Sequence, residues 1–140
     1  MSEVTFSFDA PRPKEFFALF ESTGWNEEYK LSAPELHKAI QSSWFVVSAY
    51  QDARLVGFGR VVSDGVLHAM IYDVIVDPKY QRQGIGAEVM SKLLARCKQA
   101  GIKDVQLFCA KGKAGFYRKL GFADRPADAP GMELAKLYPE

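Results

Sequence analysis

Apolar and polar positions change period several times along the chain, and each change marks an element. Val4-Thr-Phe-Ser-Phe8 alternates and predicts a strand. Pro13 suits a first helical turn and predicts a helix through Glu21, with Phe16, Phe17, Leu19 and Phe20 as its apolar face. Gly24 to Lys30 reads as a loop carrying Trp25 and Tyr29. Ser32-Ala-Pro-Glu35 combines an N-cap, an early proline and a capping box, and starts a second helix to about Ser42. Three strand-like stretches follow, Trp44 to Tyr50, Arg54 to Val62 and Leu67 to Val76, with turns at Asp52-Ala53 and Asp64-Gly65. They predict an antiparallel meander. In the third, Met70 to Val76 is apolar on both faces except at Asp73, so it is expected as a central, doubly covered strand ended by Pro78. Gly84 to Gln99 is the strongest helix, with Ile85, Val89, Met90, Leu93, Leu94 and Cys97 at helical spacing and Gly101 as C-cap. Val105 to Cys109 predicts a strand and Lys113 to Leu120 a short helix closed by Gly121. Phe122 and Met132 to Leu137 are expected as final strands around a Pro126 to Pro130 loop.

The predicted order is β-α-α-β-β-β-α-β-α-β-β, a mixed α/β fold whose mostly antiparallel sheet is flanked by helices. With 140 residues and no repeat or low-complexity tract, a single domain over residues 1–140 is expected. Composition narrows the function classes. Eighteen basic residues against seventeen acidic ones leave a net charge of +1, which argues against a dedicated nucleic-acid binder. No apolar run reaches the roughly 20 residues of a membrane span, and Met1 to Asp9 lacks the pattern of a signal peptide. Cys97 and Cys109 form no CxxC, and His37 and His68 are isolated, so no metal site is expected. Free thiols in a reducing cytoplasm are the simplest expectation.

The segment Asp77 to Gly86 joins the third meander strand to the strongest helix. Gly84 and Gly86 let backbone N–H groups face outward, and the helix end adds a partial positive charge. Together they suit a phosphate or pyrophosphate, with Lys79 and Arg82 nearby. Glycines that merely permit a tight turn are the alternative. A P-loop is excluded because no GxxxxGK[ST] occurs, and a dinucleotide fingerprint is incomplete because Val89 stands at its third glycine.

At these residues the chain resembles the GNAT superfamily of acetyl-CoA-dependent N-acetyltransferases. The signature Gln/Arg-x-x-Gly-x-Gly/Ala is complete as Gln81-Arg82-Gln83-Gly84-Ile85-Gly86, and Phe-Tyr-x-x-x-Gly-Phe recurs as Phe116-Tyr117-Arg118-Lys119-Leu120-Gly121-Phe122. The stretch from Tyr72 to Pro78, with Gly131-Met132, is similar to two small-amine branches, the serotonin (arylalkylamine) and glucosamine-phosphate acetyltransferases. The resemblance implies acetyl-CoA as cofactor, with coenzyme A as product. It implies that backbone amides of Gln81, Arg82, Gln83, Gly84, Ile85, Gly86 and Ala87 hold the pyrophosphate. The strand segment Val74, Ile75, Val76 is implied for the pantetheine arm, the backbone of Val74 and Val76 pairing with it as an added strand. Tyr117 matches the family's general acid to the departing thiolate. Where many relatives carry an asparagine before that tyrosine, this chain has Lys111 and Lys113, and Lys113 is expected at a cofactor phosphate. Homodimers are common in the family.

The implied reaction is direct attack of an amine on the thioester. A primary amine of pKa near 10.4 is only about 1 part in 2,500 neutral at pH 7, a cost of roughly 4–5 kcal/mol. A proton acceptor or a desolvating pocket is therefore needed. Asp73, the one charge in an apolar strand, is the preferred base, on the expectation that burial raises its basicity; its alternative is a structural carboxylate bonded near the strand splay. Glu28 is the second candidate and a water chain the third. Tyr117 is protonated at neutral pH and can donate to sulfur. Trp25 and Tyr29 are expected to line the acceptor pocket, or else to cover the core. Cys109 sits in an apolar strand and is expected to pack inertly rather than to carry an acyl group. His37 and His68 receive no role. The leading function is acetylation of a small primary amine, with no nucleic-acid or membrane partner. A protein N-terminus or lysine as acceptor, and a non-catalytic acyl-CoA sensor of the same fold, are the alternatives.

Overall fold

The computed structural model describes residues 3–135, which divide into two compact units between Leu107 and Phe108. The first unit holds β1 (Thr5–Ser7), α1 (Pro13–Glu21), α2 (Asn26–Tyr29), α3 (Ala33–Gln41), β2 (Phe45–Gln51), β3 (Arg54–Ser63), β4 (His68–Val76), a 3-10 turn (Pro78–Tyr80), α4 (Ile85–Ala100) and β5 (Asp104–Leu107). The sheet order is β1-β2-β3-β4-β5. Neighbours are antiparallel except β4 and β5, which run parallel. The mixed, mostly antiparallel sheet with flanking helices is the architecture that the sequence pattern predicts.

Helix ends form where the chain supplies their chemistry. At α3, Ser32 Oγ accepts from Glu35 N (3.3 Å) and Glu35 Oε1 accepts from Ser32 N (2.9 Å), a reciprocal capping box that also holds the Glu35 carboxyl below its ordinary pKa. At the end of α4, Gly101 at φ 74° lets Ile102 N reach Cys97 O and Gly101 N reach Lys98 O. One sheet face buries Phe58 and Ile75 under Phe16, Leu19 and Phe20 of α1 and Leu36 and Ile40 of α3. Across the other, α4 buries Val89, Met90 and Leu93 completely. Its close approach depends on glycines in β3. A Cβ at Gly57 would stand 2.9 Å from Ile85 Cγ2, and one at Gly59 would stand 2.8 Å from both Val89 Cγ1 and Leu93 Cδ1.

The second unit contains α5 (Ala114–Lys119). Gly121 (φ 100°) closes it as Gly101 closes α4: Phe122 N donates to Tyr117 O and Gly121 N to Arg118 O. Arg118 pairs with both carboxylate oxygens of Asp124, and the Phe108 ring lies against Gly131.

Several expectations are corrected. Gly24 to Lys30 is not all loop. Residues 26–29 form a helical turn closed by Lys30 in the left-handed region, and the buried Asn26 side chain bonds both backbone groups of Leu31. β4 is not the doubly covered centre: β3 is the middle strand, and Tyr72 is 39% exposed. The strand expected at Val105 to Cys109 stops at Leu107, and Phe108 beyond it is 63% exposed. Cys109 is consequently exposed rather than packed in a core. Among the described residues no strand follows β5: Phe122 and 132–135 are irregular, while Lys136 and Leu137 lie outside the described residues. No helix among the described residues is long and apolar enough to cross a membrane.

Candidate functional site

The site begins where regular pairing in β4 fails. Arg60 pairs with Tyr72 and Phe58 with Ile75, so the single residue Gly59 stands opposite both Asp73 and Val74. This is a β-bulge, and Asp73 takes the left-handed conformation (φ 54°) that an asparagine or aspartate tolerates best after glycine. On its other edge β4 pairs with β5 only from His68 to Ile71, where β5 ends at Leu107. Within this unit the outer edge of Tyr72 to Val76 therefore carries no ladder partner, and a strand-like ligand can extend the sheet there. Gln81 Nε2 donates to the Val76 carbonyl (3.1 Å), so one backbone group at the end of this edge is already engaged by the loop that follows.

That loop turns through two left-handed residues, Arg82 (φ 65°) and Gly84 (φ 82°), on either side of Gln83. Alternation of this kind curls successive N–H groups toward a common centre, an anion-binding arrangement. Gly84 is the N-cap of α4, and the first helical bond in this turn runs from Glu88 N to Gly84 O. The amides of Ile85, Gly86 and Ala87 precede it and have no intrahelical acceptor. Gln81, Arg82, Gln83, Gly84 and Ala87 are exposed, and Gly86 is half-buried. The Ile85 side chain is buried, as is that of Ile75, so either residue can offer a ligand only its backbone.

Asp73 is not the lone buried carboxylate expected from sequence. Its Oδ2 accepts from Arg60 Nε at 2.7 Å, with both side chains mostly buried. Arg60 also donates from Nη1 to Ala39 O and Ser43 Oγ (both 3.3 Å) at the end of α3, and its guanidinium lies 5.7 Å from the Tyr72 ring centroid. Sequence reasoning missed Arg60, although the signal was present. It is the one charge inside the run Leu55 to Val62, as Asp73 is in the neighbouring run. Two opposite lone charges on adjacent apolar strands satisfy each other.

In the second unit Tyr117 is half-buried on α5, with Phe116 and Phe122 both meeting its ring edge-on, at 5.0 and 6.0 Å between centroids. The Gly121 turn brings Phe122 back over the helix end, a physical reason for Gly-Phe in that motif. Burial, and secondarily the Cys109 thiolate, push the Tyr117 phenol above the ordinary tyrosine pKa, so it is a proton donor at neutral pH. Lys111 and Lys113 are exposed, Lys113 as the N-cap of α5. In the first unit, Trp25 as the N-cap of α2 and Tyr29 as its last residue both pack against Phe20, with centroids at 5.9 and 6.4 Å. Tyr29 is nevertheless 62% exposed and Trp25 keeps an open face, so they are partial covers of the core with surface free for a ligand. Glu28 is exposed beside them.

A model described as the acetyltransferase (GNAT) family matches residues 8–122, across both units. An uncharacterized N-acetyltransferase ycf52 of Porphyra purpurea is 36% identical over 81% of this chain and 66% of its own length. A protein named histone acetyltransferase TAP1 of Glycine max is 33% identical over 82% of this chain and 53% of its own. One named serotonin N-acetyltransferase 2, chloroplastic, of Oryza sativa subsp. japonica is 39% identical over 69% of this chain and 50% of its own. The chain thus spans between half and two thirds of the length of these relatives. A solved structure from meticillin-resistant Staphylococcus aureus, described as a probable acetyltransferase, superposes with a TM-score of 0.80 at 26% identity, covering 94% of this chain and 98% of that one.

Proposed function

The chain belongs to the acetyltransferase (GNAT) family, and from that premise we propose that it transfers the acetyl group of acetyl-CoA to a small primary amine. The observation that carries the reading is the unladdered β4 edge, Tyr72 to Val76, leading directly into the left-handed loop and free amides at the start of α4. An acyl-pantetheine arm ending in a pyrophosphate has this sequence of demands: strand-like amide pairing, then a concentrated anion. Val74, Ile75 and Val76 offer backbone to the arm, and the amides of Gln81 to Ala87 offer donors to the pyrophosphate, with Arg82 and Lys113 for the remaining phosphate charge.

In the proposed reaction the neutral amine attacks the thioester carbon, the C–S bond breaks, and Tyr117 gives its proton to the departing sulfur. Backbone N–H at the bulge steadies the developing oxyanion. Trp25 and Tyr29 form the acceptor wall. Asp73 is not assigned the proton acceptor's part, because its carboxylate is already engaged by Arg60 Nε at 2.7 Å. The ammonium proton passes to water, and Tyr117 regains a proton from solvent. A reducing compartment suits the two free cysteines.

The test follows thiol release from acetyl-CoA against tryptamine, serotonin, polyamines, glucosamine 6-phosphate and lysine-bearing peptides, for the native chain and Tyr117→Phe. Turnover with a small amine, reduced about 10²–10⁴-fold in Tyr117→Phe while coenzyme A affinity is kept, supports the reading. Turnover confined to peptides replaces the acceptor class. Coenzyme A binding without turnover on any amine supports a sensor.

A further inference from the structure

We propose that Arg60 and Asp73 form a clamp that sets the β4 bulge, making Arg60 a positioning residue of the acetyl-transfer site. The inference rests on the function proposed above. The bulge places one β3 residue, Gly59, opposite two β4 residues, and it stands immediately before the edge that receives no strand from β5. A one-residue slip beyond the bulge would turn every following side chain of β4 to the opposite face. Two side chains fix the register here. Asp73 adopts φ 54°, and its carboxylate is held by Arg60 Nε at 2.7 Å. Arg60 pairs across the strands with Tyr72, the residue before the bulge, and its guanidinium lies near that ring. The same guanidinium continues to Ala39 O and Ser43 Oγ, so the bulge is tied to the end of α3 as well as to β3. Asp73 Oδ1 accepts no hydrogen bond among the described residues, so the carboxylate's hydrogen-bonding role in the fold is the bond to Arg60.

The clamp explains why two charges stand in otherwise apolar strands without a ligand to justify them. It also separates two readings of Asp73. A base must carry a carboxylate. A clamp needs a small acceptor that tolerates the left-handed region, and asparagine meets both conditions.

The experiment measures kcat and the acetyl-CoA KM, the pH profile, and amide hydrogen exchange over residues 72–76 in Arg60→Gln, Arg60→Lys, Asp73→Asn and the Arg60→Gln/Asp73→Asn double variant. Misplacing the reacting groups by about an ångström costs up to roughly a hundredfold in rate, so Arg60→Gln is expected to lower kcat by about ten- to a hundredfold. Its KM for acetyl-CoA stays close to native, exchange rises at 72–76 but not in α4, and Arg60→Lys recovers part of the loss. Asp73→Asn keeps most of kcat and the native pH profile. The double variant is no worse than Arg60→Gln, since without the guanidinium residue 73 has no clamp bond left to lose. An Asp73→Asn variant that is inactive or loses the acidic limb of the pH profile, beside an active Arg60→Gln, would make Asp73 the base and overturn the clamp. Unchanged kcat and exchange in Arg60→Gln overturn it equally. If the native chain acetylates nothing, the family reaction fails on its own, and the exchange measurement still decides whether Arg60 sets the bulge.

Discussion

Gly84 separates backbone conformation from charge as the basis of anion binding. It sits at φ 82° as the N-cap of α4, and a Cβ built there meets nothing within 4 Å. Any side chain therefore fits by volume, and the cost of substitution is conformational. For alanine the left-handed region costs about 1–2 kcal/mol. Asparagine and aspartate tolerate it better and have nearly the same shape, so they differ at this position by one negative charge. Placed about 4 Å from a pyrophosphate oxygen, that charge is worth roughly 1 kcal/mol in a fully solvated setting and roughly 4 kcal/mol at an effective dielectric of 20. The loop is exposed, so the lower part of that range is expected. Calorimetric titration with coenzyme A should show Gly84→Asp weaker than Gly84→Asn by about five- to fiftyfold, taking each 1.4 kcal/mol as tenfold. The gap should narrow between 50 mM and 500 mM salt as screening shortens to a few ångströms. Equal affinities of the two variants, or a gap indifferent to salt, would refute a pyrophosphate seat at the start of α4.

Three further outcomes follow from particular residues. Gly59→Ala drives a methyl to 2.8 Å from Val89 Cγ1 and Leu93 Cδ1 in a fully packed layer and should cost about 1–3 kcal/mol in denaturant unfolding; an unchanged midpoint would mean that α4 does not pack tightly on β3. The Tyr117 phenol has a raised pKa, so its proton is retained through neutrality and lost only above the ordinary tyrosine range. Activity should accordingly persist to high pH and fall on the alkaline side, in a pH–rate profile whose alkaline limb disappears in Tyr117→Phe. A thiol reagent should modify one cysteine in the native protein, the exposed Cys109, while Cys97, buried and with its thiol pKa pushed up by desolvation, reacts only on unfolding.

Local chemistry made most elements legible. The Ser32-Ala-Pro-Glu35 capping box, the Gly101 and Gly121 stops and the three meander strands appear within a residue or two of their expected bounds, because each is decided by neighbours in sequence. What escaped was decided by neighbours in space. The doubly apolar run from Met70 to Val76 suggested a covered strand, yet β5 is too short to flank its second half, and that gap is the candidate binding edge. Asp73 read as an isolated charge because its partner lies 13 residues upstream on another strand. Cys109 read as core because an apolar stretch does not state where a strand stops. The two motifs were legible for another reason: their glycines mark positive φ at Gly84 and Gly121, and backbone of that kind must be written into the sequence.

Three left-handed residues, Asp73, Arg82 and Gly84, fall within twelve positions on either side of the 3-10 turn. Two of them are not glycine, and each non-glycine residue there carries a conformational cost of about 1–2 kcal/mol. Such costs persist only where surrounding structure over-determines the backbone. At Asp73 the constraint is the Arg60 ion pair. At Arg82 and Gly84 it is the loop between the Gln81–Val76 hydrogen bond and the buried first turn of α4, fixed by Ile85 against Gly57. Among the described residues, the strain lies where backbone groups have no ladder or intrahelical partner, at the outer β4 edge past Ile71 and at the first amides of α4. A chain that satisfied those groups internally would need none of it. The two features together are most simply understood as one device, a stretch of main chain held open for a ligand that is itself strand-like at one end and anionic at the other.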